Sequence, residues 1–307
     1  MLEEIAHQRP TGMTGLVMNT RDPLFSDVNV RDALILAFNF EFINEAQTGG
    51  AQPRIQSYFD NSPLGMEPGT PATGRVAEML AQYEADLPPG AMEGYALPVS
   101  DGSERNRANV AAALDRLAEA DWTVGEDGVL KNAAGEPFTF EILLENGSSE
   151  VASVVDMYVQ GLERLGMQVT VTSVDAAQYK ERTDAYDFDM TYFRRALSLS
   201  PGNEQTLYWG STSAEQPGGR NLMGARSPAI DGLINTLLTS ESNDDFVAAA
   251  QALDRVLTAE RYVIPFYQWN AAFIGHADEL QHPETVPLMG DWSGWEPDVW
   301  WYEEAAQ

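Results

Sequence analysis

The chain has 307 residues, 44% hydrophobic and 21% charged, the make-up of a folded protein with room for one large core or two domains. Its 47 acidic against 18 basic residues give a net charge of -29, a surface that repels phosphate backbones and anionic lipid headgroups and so argues against nucleic acid as a partner. The absence of cysteine removes thiol nucleophiles, disulfides and cysteine-based zinc sites, and no cofactor motif takes their place.

Taken in chain order, "MLEEIAHQRPTG" lacks the basic and apolar segments of a signal peptide, which leaves a cytoplasmic protein or an N-terminus further upstream. "TGLVMNT" reads as a strand. The segment 26–46 reads as one helix capped by Ser26 or Asp27, with Val30, Ala33, Leu34, Ala37 and Phe38 on its buried face. Residues 49–74, rich in Gly and Pro, form a long loop that Ile55, Tyr58, Phe59 and Met66 can anchor. Helices are expected over 72–86 and 104–120, the second burying Val110, Leu114 and Leu117. "GVLKNAAGEPFTFEILL" suggests a hairpin whose second strand alternates Phe138, Phe140, Ile142 and Leu144. A helix over 148–165 ending at Gly166 and the strand "MQVTVTSVD" complete a strand-helix-strand crossover. A short helix at 176–184, a strand ending in Arg194 and Arg195, helices at 228–239 and 243–260 and the strand "YVIPFYQW" follow. The expected fold class is α/β, a mixed sheet with helices on both faces.

The tail 275–307 shows no helical period and gathers Trp292, Trp295, Trp300, Trp301 and Tyr302, an apolar surface that seldom stays exposed in a monomer. Chemistry is sparse. His7, His276 and His282 fall in no metal-ligand spacing, and neither Lys131 nor Lys180 sits in a phosphate-binding loop. Asp187 and Asp189, two apart on a strand, share a face and could be read as an acid pair, but with no second catalytic signal beside them a solvated strand start is the better explanation. Asn146-Gly147-Ser148 matches a glycosylation acceptor and also suits a turn that begins a helix.

The stretch "FDMTYFRRALSLSPGNEQTLYWGS", Phe188 to Ser211, is the informative one. Two arginines close a strand of an acidic protein, one toward each helical layer, and a Ser-Pro-Gly-Asn turn follows. In open α/β sheets ligands bind at the carboxyl ends of strands, so donors placed there suit a binding cleft. Neutralisation of neighbouring carboxylates is the competing explanation.

"TGLVMNTRDPLFSDVNVRDALILAFN" resembles the family 5 extracellular solute-binding proteins of ABC transporters, the dipeptide, oligopeptide and nickel group. "GEPFTFEILL", "VQGLERLGMQVTVTSVDAAQYKERTDAYDFDMTYF" and "GGRNLMGARSPAIDGLI" agree in order. "SLSPGNEQTLYWGS" with "PGGRNL" is most similar to the subgroup that binds oligopeptides and microcin C. The resemblance implies a two-lobed periplasmic-binding-protein fold (type II, cluster C) of which this chain is the second lobe. Residues 1–13 would lead in from the first lobe, 14–274 would form the ligand-binding lobe, and 275–307 would return to the first lobe.

The same resemblance implies an exported, periplasmic component of an ABC importer that closes on an oligopeptide or peptide-like ligand and delivers it to permease subunits, with no cofactor. Arg194, Arg195, Ser200, Asn203, Arg220 and Asn221 are then expected to supply donors to the ligand, and Trp209 an aromatic wall. Core packing for Trp209 and a turn role for Asn221 remain open. Dipeptide and oligopeptide binders carry an aspartate for the ligand's amino terminus shortly before the equivalent of Pro201. Here Leu197 to Ser200 contain no acid, which suits a ligand carboxylate or phosphate better than an amine. A carboxylate hydrolase using Asp187 and Asp189, and a receptor on the same fold that docks a sensor protein, are the rival readings.

Overall fold

The computed structural model describes residues 1–268 and 271–303. The elements run β1 (Leu2–Ala6), β2 (Met13–Met18), α1 (Val28–Ala37), α2 (Phe40–Thr48), α3 (Gly74–Ala81), α4 (Arg107–Glu119), β3 (Thr123–Val124), β4 (Leu130–Lys131), β5 (Thr139–Glu145), α5 (Ser149–Arg164) and β6 (Gln168–Val174). The chain continues with α6 (Ala176–Asp184), β7 (Met190–Arg195), α7 (Glu204–Trp209), α8 (Pro228–Leu238), α9 (Asn243–Ala259), β8 (Val263–Pro265), β9 (Ala271–Gly275), β10 (Leu280–Gln281) and β11 (Trp301–Tyr302).

Five strands form the main sheet in the order β6-β5-β7-β2-β8. β5 is parallel to β6 and to β7, while β2 runs antiparallel to both β7 and β8. The carboxyl ends of β5, β6, β7 and β8 therefore share one edge with the amino end of β2. Strand alternation splits the core in two. Leu16, Met18, Phe140, Ile142, Leu144, Met190 and Ile264 face a layer built from α1, α4 and α5. Met13, Val17, Leu143, Phe193 and Val263 face α3, α8 and α9. The mixed sheet covered on both faces is thus present, and the expected crossover is β5-α5-β6.

Four local expectations are corrected. The single helix over 26–46 is broken: Phe38 is extended (φ -77°, ψ 99°) and α2 starts afresh at Phe40. Tertiary packing accounts for the break, because Phe38 stacks on Phe266 with ring centroids 5.4 Å apart and an interplanar angle of 6°, and Asn39 Nδ2 donates to the Ser103 carbonyl at 2.7 Å. The helix expected over 72–86 is α3 followed by a 3-10 turn at Glu84–Asp86. The hairpin shrinks to a bridge between Lys131 and Pro137, since β4 pairs with β3 and β5 enters the parallel part of the sheet, where both its faces are buried. The last strand is shorter than "YVIPFYQW", whose Trp269 lies outside the described residues.

The long loop is ordered by one buried carboxylate. Asp254 of α9 accepts from Ser57 Oγ (2.6 Å) and from the backbone N–H groups of Tyr58 (2.7 Å), Phe59 (3.2 Å) and Met66 (2.9 Å). Both principal cores draw on residues between Met13 and Tyr267. Outside them the lead-in and the tail pack on each other: β1 pairs with β9, β10 pairs with β11, and Arg9 bonds Asp291 at 2.5 Å. Glu3 Oε2 meets His276 Nε2 (3.1 Å) and His282 Nε2 (2.8 Å), and the two imidazoles pack against Trp295 and Trp300. Trp295 is buried there, whereas Trp292, Trp301 and Tyr302 are exposed.

Candidate ligand-binding site

A cavity of about 720 Å³ opens at the shared strand edge, lined by Tyr192, Arg194 and Arg195 of β7, by Ala196 to Leu199, by Thr11 and Thr14 at the start of β2, and by Tyr267 just past β8. His7, Arg9, Met289, Asp291 and Trp292 close one side, and Glu150 of α5 another. A second cavity of about 640 Å³ continues along the ends of β5 and β6 and shares Tyr192. There Ser148 caps α5, its Oγ accepting from Val151 N–H at 3.4 Å, so the Asn146-Gly147-Ser148 stretch is the turn that begins this helix.

The arginine pair is set by register. Met13 stands opposite Arg195 and Thr14 opposite Arg194. Gly12 makes that pairing possible: its φ is +64°, and a β-carbon would lie 2.1 Å from the Arg195 carbonyl oxygen. Arg195 continues the face of Phe193, its guanidinium 5.6 Å from that ring centroid and 4.3 Å from that of Tyr208, and Nη2 donates to the Arg220 carbonyl at 3.5 Å. Its buried Nε has no acceptor among the described residues. Burial, reinforced by the nearby Arg220 charge, lowers the Arg195 guanidinium from its ordinary value, with Tyr208 opposing the shift.

The structure places Arg194 and Arg195 on the cavity wall and Arg220 beside Arg195, 5.9 Å from the Tyr208 ring, although Arg220 does not itself line the cavity. Among the described residues none of the three has a carboxylate partner, whereas Arg31, Arg182 and Arg261 are paired with Glu260, Glu141 and Asp32. Ser200 and Asn203 are exposed on the following turn but do not line the cavity.

Two expected ligand contacts are corrected. Trp209 is wholly buried, its Nε1 donates to Gln205 Oε1 at 2.7 Å, and it packs edge-on against Tyr58 and Tyr208, so it is a core residue and not a wall. Asn221 is equally buried and spends its amide on the chain, donating to the Gly210 and Ala225 carbonyls and accepting from Ala225 N–H. The acid pair does not form either. Asp187 is exposed and bonded to Arg182 at 3.0 Å, while Asp189 accepts from the Glu141 N–H at 2.7 Å.

The aromatic walls are instead Tyr192, Tyr267 and Trp292. Tyr192 was readable from strand alternation, since it lies two residues before Arg194. Tyr267 was readable only from the rule that strand ends face the ligand, and Glu150, in the first turn of α5, from no signal in the sequence. Burial raises both tyrosine hydroxyls above their usual range, and Tyr267 is raised further by its hydrogen bond to Glu150. His7 is lowered by burial and by Arg9. Among the described residues no group of three or more histidine or carboxylate side chains is arranged to hold a metal ion.

A two-faced α/β sheet with an aromatic-walled cavity at its strand ends, lined by Arg194 and Arg195, has the architecture of a ligand-binding lobe. The comparisons agree. Residues 2–217 match the family model described as bacterial extracellular solute-binding proteins, family 5 middle, and the chain belongs to that family. It is 37% identical over 294 residues to the Agrobacterium fabrum protein named "probable peptide-binding protein YejA", a match covering 95% of this chain and 47% of that one. It is 36% identical over 293 residues to the peptidoglycan-binding protein YepA of the same organism, covering 95% and 46%. The oligopeptide-binding protein AppA of Bacillus subtilis, solved with a nonapeptide, shares the fold with a TM-score of 0.67 at 18% identity, over 99% of this chain and 53% of that one. The chain thus spans about half the length of these relatives. The family is one of binding proteins and not of enzymes.

Proposed function

We propose that residues 14–274 form one wall of a peptide-binding cleft in the periplasmic substrate-binding component of an ABC importer. A second lobe supplies the facing wall, closure about a hinge encloses a peptide or peptide-like ligand, and the loaded protein delivers it to a membrane permease. Residues 1–13 and 275–307 belong, on this reading, to the connection with that lobe. Support comes from their packing on each other outside both cores and from the chain's half-length match to its relatives.

The observation that carries the reading is the cluster of Arg194, Arg195 and Arg220. In a chain with 47 acidic and 18 basic residues, two arginines on the cavity wall and a third beside Arg195, none with a carboxylate partner among the described residues, are held for an anion from outside. A peptide carboxylate meets that requirement, and Tyr192, Tyr267 and Trp292 offer apolar faces for side chains.

The test is affinity. The full-length protein, exported and purified natively, is expected to carry peptides identifiable by mass spectrometry. In calorimetry with those peptides, Arg195→Ala is expected to weaken binding roughly ten- to a hundredfold, the value of a hydrogen bond to a charged group. Unchanged affinity in that variant would remove the arginines from the site.

A further inference from the structure

The cavity carries both signs of charge. Arg194 and Arg195 end β7, and Glu150, in the first turn of α5, lines the same space. The Glu150 carboxylate accepts a hydrogen bond from the Tyr267 hydroxyl, and among the described residues it has no arginine, lysine or histidine partner. Asp291, the other acid on the wall, is already neutralised by Arg9. Tyr192 lines the same cavity as both.

A glutamate in a helix's first turn is favoured by the backbone dipole alone. That explains an acid on α5, but not a tyrosine reaching from the end of β8 to hold the carboxylate at the cavity wall. The Tyr267 hydroxyl takes up one of the carboxylate's acceptor positions and leaves the others for a second donor.

We propose that Glu150, positioned by Tyr267, recognises a primary ammonium group of the ligand, so that the site selects dipolar compounds with an anionic group at Arg194 and Arg195 and an ammonium at Glu150. The inference rests on the peptide reading above and adds the direction in which the peptide lies. It also places an amine contact on α5, whereas the segment Leu197 to Ser200 offers no acid for it.

The experiment uses the full-length protein in equilibrium dialysis against a randomised tetrapeptide mixture, the same mixture N-acetylated, and the same mixture C-amidated, with mass-spectrometric readout of retained peptides. The unaltered protein is expected to retain free over acetylated peptides by about tenfold or more, the weight of one charge-assisted hydrogen bond. Glu150→Gln is expected to abolish that preference while keeping the preference for free over amidated carboxyl ends, and Arg195→Ala is expected to do the reverse. Tyr267→Phe, which removes the buttress and not the charge, is expected to reduce the amine preference partway without altering the carboxyl preference. An amine preference that survives in Glu150→Gln, or no amine preference in the unaltered protein, overturns the assignment while leaving the peptide reading intact. Retention of no peptide in any form overturns the peptide reading, and this assignment with it.

Discussion

Replacing Glu3 by glutamine should loosen the ribbon formed by β1 and β9 and remove its dependence on pH. In each of His276 and His282, Nδ1 lies 2.9 Å from a backbone carbonyl oxygen and Nε2 faces the Glu3 carboxylate. Carbonyl and carboxylate oxygens only accept, so both contacts of His282 are hydrogen bonds at once only when both of its ring nitrogens carry protons. Accordingly Glu3 raises the His282 imidazole above its ordinary value of 6.5, and the two histidines lower Glu3 below 4.5. The raised His282 contributes stability that is full below 6.5 and is lost as pH rises through its raised value. The lowered Glu3 contributes stability that is full above 4.5 and is lost as pH falls through its lowered value. The ribbon is therefore tightest between those two ordinary values. A hydrogen bond to a charged partner is worth roughly 1.5–3 kcal/mol, and solvent reaching these side chains cuts that to about 1–2. The corresponding change in local opening is about 5- to 30-fold, readable as lower amide protection, relative to the free-peptide exchange rate at each pH, in β1 and β9 at pH 8 than at pH 5.5. Exchange that is indifferent to pH over this interval, or a Glu3→Gln protein that keeps the same dependence, would refute the reasoning.

Two further outcomes follow from single contacts. Asp254→Ala leaves the Ser57 hydroxyl and three backbone N–H groups without their acceptor inside the core; about 3–5 kcal/mol of stability should be lost, seen as a lower denaturation midpoint with early proteolysis between Ser57 and Met66. Gly12→Ala places a methyl group against the Arg195 carbonyl at a positive φ; roughly 1–3 kcal/mol of strain should shift the end of β7 and weaken ligand binding in calorimetry, and unchanged affinity would separate Gly12 from the arginine geometry.

Much of the framework was legible because it is periodic. Phe140, Ile142 and Leu144 mark one face of β5 by alternation, and α5 with Gly166 and β6 follows as a right-length crossover. Arg194 and Arg195 stood out because paired cations at a strand end have no packing purpose. What escaped was set by partners distant in sequence. Phe266 and Ser103 break the first helix at Phe38 and Asn39, and nothing within residues 26–46 announces them. Trp209 and Asn221 sit in polar, glycine-rich stretches that suggest a surface. The first packs against Tyr58, far away in sequence, and the second is saturated by the backbone of Gly210 and Ala225. Glu150 was invisible for the opposite reason: its neighbours on the chain explain it fully, and only Tyr267 marks it as different.

The antiparallel placement of β2 has a mechanical consequence. Had β2 run with its neighbours, the lead-in would enter at the far edge of the sheet, remote from the ligand. As built, the chain leaves β1, passes His7 and Arg9 on the cavity wall, turns at Gly12 against Arg195 and only then enters the sheet. The lever arm between the ribbon and the arginines is thus a few residues of extended chain with no intervening element. On the proposed reading, a reorientation of the ribbon and a ligand seated on Arg195 act on the same short span, and whatever free energy couples them is the same in both directions.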